Sequence, residues 1–202
     1  MIAGLRVIWR GLRAVWLSGY VYIWANLAFI ALCMPVVTAP GAFSALMRVA
    51  HAAQKTPHEA DLDLFWETFK ANWRPAFIWG IAHAIFAFVN FTNLFTYVDE
   101  PGIIASVLRG IWLAAGIAWI GVLFYTWAIY YEMQSPTLWG ATRNALVMVL
   151  QNPFFTMAIL ASMIILAIIS TVLMAMWLLL TWSIFAAVFN AAVQDRLKVV
   201  YR

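Results

Sequence analysis

The stretch MPVVTAPGAFSALMRVAHAAQK, residues 34–55, determines how this chain is threaded. It comes directly after a run of apolar residues, which its two prolines and one threonine interrupt. A segment of mostly small residues then leads to Arg48, His51 and Lys55. This segment crosses an apolar layer, enters it part-way or leaves it for water, and its path decides the side on which all later segments lie.

The composition indicates what surrounds the chain. Hydrophobic residues make up 66% of the sequence and charged residues 10%, whereas a soluble domain has roughly 45–50% and about 25%. So few charges cannot coat a globule of this size. Runs such as FFTMAILASMIILAIIS, residues 154–170, also lack the apolar–polar alternation of transmembrane barrel strands. The sequence therefore predicts an all-α, polytopic helical membrane protein.

The number of spans follows from the length of the apolar segments, because about 20 residues cross a hydrocarbon core about 30 Å thick. We predict one transmembrane helical domain over residues 1–202, with about six spans and a turn at Ser170-Thr171. The spans lie near residues 17–35, 39–54, 75–97, 103–131, 154–170 and 172–194. Five of them are long. The second is short or re-entrant, since its length as a helix is only about 24 Å.

The basic residues favour a return of residues 39–54 across the membrane. With that return, all of them except Arg109 lie on one side, as the positive-inside rule requires. They are Arg6, Arg10, Arg13, Arg48, Lys55, Lys70, Arg74, Arg143, Arg196, Lys198 and Arg202. The sequence therefore predicts a multi-pass protein of the inner (plasma) membrane with cytoplasmic N- and C-termini. No signal-peptide cleavage site follows the first apolar segment, so we expect that segment to be retained.

Three segments carry an apolar stripe at helical spacing: residues 5–16, 62–73 and 138–149. We interpret them as cytoplasmic amphipathic helices that lie in the membrane interface and join hairpins of spans. Pro75 and Pro153 are expected to open the spans that follow, as proline can in the first turn of a helix. Each amphipathic segment is followed by two spans. These three units are an internal repeat, or their amphipathic segments are unrelated connectors, and the pattern leaves both open.

Polar side chains within spans are costly and therefore candidates for function. The candidates are Asn26, His83, Asn90, Asn93, Arg109 and Asn190. The asparagines line a polar path or hold helices together through hydrogen bonds. His83 is a ligand for haem or chlorin, or it makes an interhelical hydrogen bond. Arg109 forms a local ion pair with Asp99 or Glu100, or it recognises a substrate.

No enzyme motif occurs in the sequence. It contains no G-x-S-x-G, H-E-x-x-H or Walker A pattern. All acidic residues lie at or outside the predicted span ends, which argues against a transporter driven by intramembrane carboxylates. No cluster of metal ligands is evident, and no basic-aromatic surface suggests nucleic acid. We therefore expect a non-enzymatic protein with no bound metal.

Two regions resemble a known family. ANLAFIALCMPVVTAPGAFSALMRV, residues 25–49, combines an asparagine-containing span, a proline-valine-threonine turn and a helix of small residues. It is followed by the aromatic-lysine segment LFWETFKANW, and later by RNALVMVLQNPFFTM, residues 143–157. This order resembles the YesL-like family of bacterial membrane proteins, whose molecular function is unknown. The resemblance implies an accessory role in carbohydrate uptake and supplies no catalytic residues.

Three functions remain open. The first is an accessory or scaffold subunit of a membrane complex, which contacts the lipid bilayer and other membrane subunits or associates with itself. The second is a small-molecule transporter or channel with a path lined by the intramembrane asparagines and His83. The third is a pigment- or haem-binding subunit that uses His83.

Overall fold

The computed structural model describes residues 2–200, so Arg202 lies outside the described residues. Its α-helices are α1 Ile2–Leu17, α2 Gly19–Cys33, α3 Ala39–Lys55, α4 Leu62–Thr96, α5 Ile103–Tyr130, α6 Leu138–Gln151, α7 Pro153–Val172 and α8 Trp182–Val200. A 3₁₀ turn, Pro57–Glu59, precedes α4, and a π-helical turn, Trp177–Thr181, precedes α8. No strand occurs between residues 2 and 200. The predicted all-α class is confirmed.

Several helices are long and apolar enough to cross a membrane. Among the described residues there are four: Leu62–Thr96, Ile103–Tyr130, Pro153–Val172 and Trp177–Lys198. Helices α1 and α2 meet at 95° and give a fifth candidate if they count together. The protein is thus a helical membrane protein with four or five candidate spans. The count of six is not confirmed, because α3 is shorter than a full span.

Two predicted boundaries are wrong. Residues 62–73 and 75–97 form one continuous helix of 35 residues with Pro75 inside it. The chain on both sides of Pro75 packs along α3, since Gly41 lies against Phe69 and Trp73 before the proline and Pro40 lies against Gly80 after it. This packing holds the helix together through the proline. The turn between the last two predicted spans lies at Leu173-Met174 and not at Ser170-Thr171. Thr171 remains helical and donates to the carbonyl of Ala167 at 2.9 Å.

Helix α3 is the most enclosed element of the bundle. Of its 17 residues, 12 are buried, and most of these are small. Small side chains allow α2, α4, α5 and α8 to approach it closely. The start of α3 lies beside the middle of α4, because Pro40 touches Gly80. Helix α4 then continues to Thr96, about 24 Å further, so its second half has no α3 beside it.

The basic residues gather at one end of the bundle, which we call the basic end. There the Lys55 Nζ lies 2.8 Å from Glu132 Oε2, and Arg10 Nη1 lies 3.9 Å from Asp195 Oδ1. Arg196 of α8 lies beside Asp195 in the chain. The contacts thus bring basic residues of α1, α3 and α8 together. The side of the membrane that this end faces remains a prediction.

The opposite end consists largely of the second half of α4 and the first half of α5. We call residues 84–118 the projecting hairpin. Its two helices contact each other through Phe86 and Trp119, whose ring centroids are 4.2 Å apart, and through Asn90 and Trp112. Within these residues only Asn90 and Ala105 are buried. The hairpin therefore extends beyond the part of the molecule in which most side chains are enclosed.

Candidate functional site

Asn26 connects α2 to the break before α8. Its Nδ2 donates to the carbonyls of Trp177 at 3.0 Å and Leu178 at 2.7 Å. Its Oδ1 accepts from the backbone N–H of Ser183 at 3.0 Å. A π-helical turn disturbs the regular hydrogen-bond ladder of a helix, and this one amide bonds backbone groups of the turn and of the first residues of α8. The side chain is fully buried.

The other intramembrane asparagines also bond to backbone carbonyls. Asn190 donates to Met47 at 3.2 Å and to Ala186 at 2.9 Å. Asn90 donates to Trp112 of α5 at 2.8 Å, and Asn93 donates to Val89 of its own helix at 2.8 Å. Within residues 3–198 no hydrogen bond joins two of the candidate residues to each other. The structure therefore places Asn26, Asn90 and Asn190 at three separate contacts between helices, and Asn93 bonds only within α4.

His83 lies among aromatic side chains. Its Nδ1 is 3.0 Å from the carbonyl of Trp79; since a carbonyl only accepts, Nδ1 carries the proton. The imidazole centroid is 4.1 Å from Trp79 and 4.9 Å from Trp119. The Nε2 atom is buried and has no partner among the described residues. Because Nε2 is buried, haem or chlorin ligation through it would require neighbouring side chains to move, and it stays a prediction.

Arg109 does not form the expected ion pair. Its guanidinium donates to the carbonyl of Val98 at 2.8 Å and to the Ser106 hydroxyl at 3.0 Å. In the described part of the chain, neither Asp99 nor Glu100 takes part in an ion pair. Arg109 instead ties the loop after α4 to the first turn of α5.

A group of polar residues that the sequence did not single out joins α3 and α4 to the end of α5. We call it the Glu132 network. Its members are Ser44, Arg48, His51, Lys55, Asn72, Tyr131 and Glu132. On α3 the spacing of Ser44, Arg48, His51 and Lys55 is four, three and four residues, so they lie on one helix face.

The inner half of the Glu132 network surrounds the Tyr131 hydroxyl. This hydroxyl is 2.7 Å from Ser44 Oγ and donates to the Ser44 carbonyl at 3.0 Å. Asn72 Nδ2 donates to it at 3.1 Å. The guanidinium carbon of Arg48 lies 5.5 Å from the Tyr131 ring centroid, which is within the range of a cation–π contact. Helices α3, α4 and α5 are therefore joined by hydrogen bonds at this level.

The outer half of the Glu132 network neutralises a carboxylate. Glu132 Oε1 lies 3.2 Å from His51 Nε2, and Oε2 lies 2.8 Å from Lys55 Nζ. Burial by itself would raise the pKa of Glu132, but the hydrogen bonds and charges of His51 and Lys55 outweigh it and lower this pKa to about 2. Arg48 donates to His51 Nδ1 at 3.4 Å. This contact adds Arg48 to the group of basic side chains around the carboxylate.

Beside the Glu132 network lies a half-open cleft of about 1250 Å³, which we call the basic-end cleft. Four charged side chains line it: Lys55, Glu132, Arg196 and Lys198. Six carboxamides line it as well: Gln54, Gln134, Asn144, Gln151, Asn152 and Gln194. The remaining wall is largely aliphatic. The cleft thus combines charged, carboxamide and aliphatic side chains in one large cavity.

Arg196 is fixed at the edge of the basic-end cleft. Its guanidinium carbon lies 4.2 Å from the centroid of the Phe155 ring, and its Nη2 donates to Asp195 Oδ2 at 2.7 Å. Its Nε and the Nε2 of Gln194 are buried without a partner in residues 3–198. Both are hydrogen-bond donors, and both residues line the cleft. The described residues contain no group of three potential metal ligands.

Comparison with known proteins identifies one similarity. Residues 22–94 match the profile of a family described as "Protein of unknown function, DUF624". No curated protein matches the chain, and no solved structure matches it. The matched residues run from α2 through α3 into the second half of α4, and therefore include the α3 members of the Glu132 network. From Tyr22 to Leu94 the chain is similar to this family of unknown function.

Proposed function

We propose that the protein is a non-enzymatic accessory or scaffold subunit of a membrane complex, with the projecting hairpin as its docking element. The observation that carries this proposal is the exposure of apolar side chains on both helices of that hairpin. Phe88 and Phe95 on α4 are 73% and 72% exposed, and Ile103 and Ile104 on α5 are 81% and 74% exposed. The chain itself leaves these side chains to lipid or to a neighbouring helix.

The small residues of α5 provide a route for close helix contact. Ser106, Gly110 and Ala114 follow one another at intervals of four residues and are exposed, and a Cβ atom added at Gly110 would touch nothing within 4 Å. In lipid, apolar area alone does not drive helices together, whereas a stripe of small residues lets two backbones pack closely. We propose this face as the contact with a partner helix.

The location and partners of the subunit are part of the proposal. We infer an inner (plasma) membrane protein with cytoplasmic N- and C-termini, because the contacts collect basic residues at one end and the positive-inside rule assigns that end to the cytoplasm. The resemblance of the sequence to the YesL-like family supports a partner involved in carbohydrate uptake.

The test is the native mass of the protein after mild detergent extraction from its own membrane. We expect a defined assembly larger than the 22.8 kDa chain in its detergent micelle. Gly110→Leu should reduce this assembly at least tenfold, because a leucine would separate the helices. Ala84→Leu adds similar bulk to an exposed position on the α4 side of the hairpin and should leave the assembly intact. Recovery of the unaltered protein as a monomer would contradict the proposal.

The same preparation tests the two alternatives. A visible absorption band that disappears in His83→Phe would support a pigment or haem subunit, and a colourless assembly would not. Solute flux in proteoliposomes that is lost on replacement of Asn26 and Asn190 by apolar residues would support a transporter. Their bonds to backbone carbonyls favour a structural role, which supports the accessory subunit.

A further inference from the structure

We propose that the basic-end cleft binds the phosphate group of an anionic ligand, and that in the membrane this ligand is an anionic phospholipid. This inference concerns the end of the bundle opposite the projecting hairpin, so it does not depend on the function proposed above. It rests on unused donors, net charge and the shape and lining of the cleft.

The unused donors indicate the chemistry of the ligand. Arg196 Nε and Gln194 Nε2 are both buried without a partner in the described part of the chain, and both residues line the basic-end cleft. A buried donor without an acceptor costs free energy. Both side chains are half-buried, so each can turn towards the cleft, where a ligand with several acceptor oxygens removes this cost at both atoms. Phosphate is such a ligand, and arginine matches its geometry well.

The charges of the cleft favour an anion. Lys55, Arg196 and Lys198 contribute three positive charges, and Glu132 with the neighbouring Asp195 contributes two negative ones, so the sum is +1. Lys55 already neutralises Glu132 at 2.8 Å. Lys198 is exposed at the mouth of the cleft. It can therefore approach a phosphate that Arg196 and Gln194 hold from the inner side.

The size and the aliphatic wall favour a ligand larger than a phosphate ion. The cleft has a volume of about 1250 Å³, which exceeds the range of about 300–1000 Å³ typical of small-molecule sites. Ile129, Met148, Val193 and Leu197 form part of its lining. The amphipathic helix α6 forms one side, where the chain is expected to meet the membrane interface. A phospholipid would place its phosphate at Arg196 and its glycerol backbone and first methylenes against this wall.

The test uses native mass spectrometry of the full chain in detergent, with phosphatidylglycerol, phosphatidylcholine or glycerol 1-phosphate as the added probe. We expect phosphatidylglycerol to bind at least tenfold more tightly than phosphatidylcholine. Gln194→Glu keeps the size of the side chain but replaces the unused donor by a carboxylate, and should weaken phosphatidylglycerol binding at least tenfold. Binding of glycerol 1-phosphate that equals that of the lipid would support the phosphate site and assign it to a soluble ester.

Two further variants keep the test decisive. Lys198→Glu changes an exposed side chain and should also weaken binding at least tenfold, even if Gln194→Glu does not fold. Arg143→Gln removes a basic, exposed residue on α6 that does not line the cleft, and should leave binding unchanged. The proposal is overturned if phosphatidylglycerol and glycerol 1-phosphate bind no better than phosphatidylcholine. An equal loss in Arg143→Gln and Lys198→Glu would overturn it as well, because general surface charge would then explain the binding.

Discussion

At the scale of single residues, Asn26 shows that a polar side chain within the bundle can have a structural role. Asn26→Leu removes the bonds to the carbonyls of Trp177 and Leu178 and to the N–H of Ser183. Each buried group left without a partner costs about 1–3 kcal/mol, so we expect a clear loss of stability. Thermal unfolding of the purified protein in detergent measures it.

The control for Asn26 is Asn93→Leu. Asn93 donates only to Val89 within its own helix, at an exposed position, and its replacement should change the midpoint of unfolding little. Equal effects of the two variants would mean that the contact with the π-helical turn contributes nothing special.

Glu132 predicts a dependence of stability on pH. The folded state lowers the pKa of this carboxyl from 4.5 to about 2, so its ionised form stabilises the fold above pH 4.5. That contribution is lost as the pH falls from 4.5 towards 2. In Glu132→Gln we expect a lower midpoint of thermal unfolding near neutral pH and a smaller further decrease on acidification. Glu67→Gln, at an exposed position, should behave like the unaltered protein.

The α3 members of the Glu132 network could be predicted from the sequence, and Glu132 itself could not. The polar residues at four- and three-residue intervals on α3 are visible as a stripe on a helix of small apolar residues, and they could have been selected on that pattern. Their partner Glu132 is 77 residues from Lys55 along the chain. The sequence places Glu132 only among the acidic residues at or outside the predicted span ends, because no local pattern indicates a carboxylate that packs against another helix. Arg109 illustrates the converse. Asp99 and Glu100 are close to it in sequence, yet neither forms an ion pair with it in the described part of the chain.

At the scale of elements, the packing of α1 against α8 depends on a glycine. A Cβ atom at Gly11 would lie 2.6 Å from Val188 Cγ2, 2.8 Å from its Cα and 2.9 Å from its backbone N. A side-chain atom can move, but the Cα and N of Val188 belong to the core of α8, where residues 184–193 are buried. We expect Gly11→Ala to destabilise the protein by about 1–3 kcal/mol, as overpacking does in other cores.

Gly19→Ala is the matched control for this contact. Gly19 is the first residue of α2, and a Cβ atom there would meet nothing within 4 Å. Alanine restricts the unfolded chain more than glycine does, so Gly19→Ala should be neutral or slightly stabilising. Thermal unfolding in detergent compares the two variants. A neutral Gly11→Ala would show that α1 lies away from α8 in the membrane.

The apolar content of the sequence predicts that the chain forms membrane helices. The residues at which these helices begin and end depend on tertiary contacts. Pro75 suggested a break, and the packing of α3 along both sides of this proline keeps α4 continuous. Ser170 and Thr171 suggested a turn, yet Thr171 bonds to Ala167 and Ser170 accepts from Thr181 at 2.7 Å. A hydroxyl side chain in an apolar helix makes its hydrogen bond to its own helix or to a neighbouring helix. The sequence does not show which neighbouring helix is present.

At the scale of the whole molecule, the threading of residues 34–55 decides the number of spans. Helices α2 and α3 have 15 and 17 residues, or about 22 and 25 Å. The contact between Pro40 and Gly80 places the α2–α3 turn beside the middle of α4. The tip of the projecting hairpin, near Glu100, therefore lies farther from the basic end than Val36 in this turn. We therefore predict that α2 and α3 form a re-entrant pair of helices, since a full span would bring this turn to the surface.

Labelling with a membrane-impermeant maleimide on intact cells distinguishes these two topologies. Cys33 is the one cysteine in the sequence, so Cys33→Ala provides a background for Val36→Cys, Glu100→Cys and His58→Cys. We expect rapid labelling at position 100 from outside the cell, and at position 58 only after permeabilisation, because His58 lies next to the basic end of α3. Position 36 should label at least tenfold more slowly than position 100, since the reagent must reach a turn within the apolar layer. Equal rates at 36 and 100 would establish a full return span, and labelling of 58 in intact cells would reverse the predicted orientation.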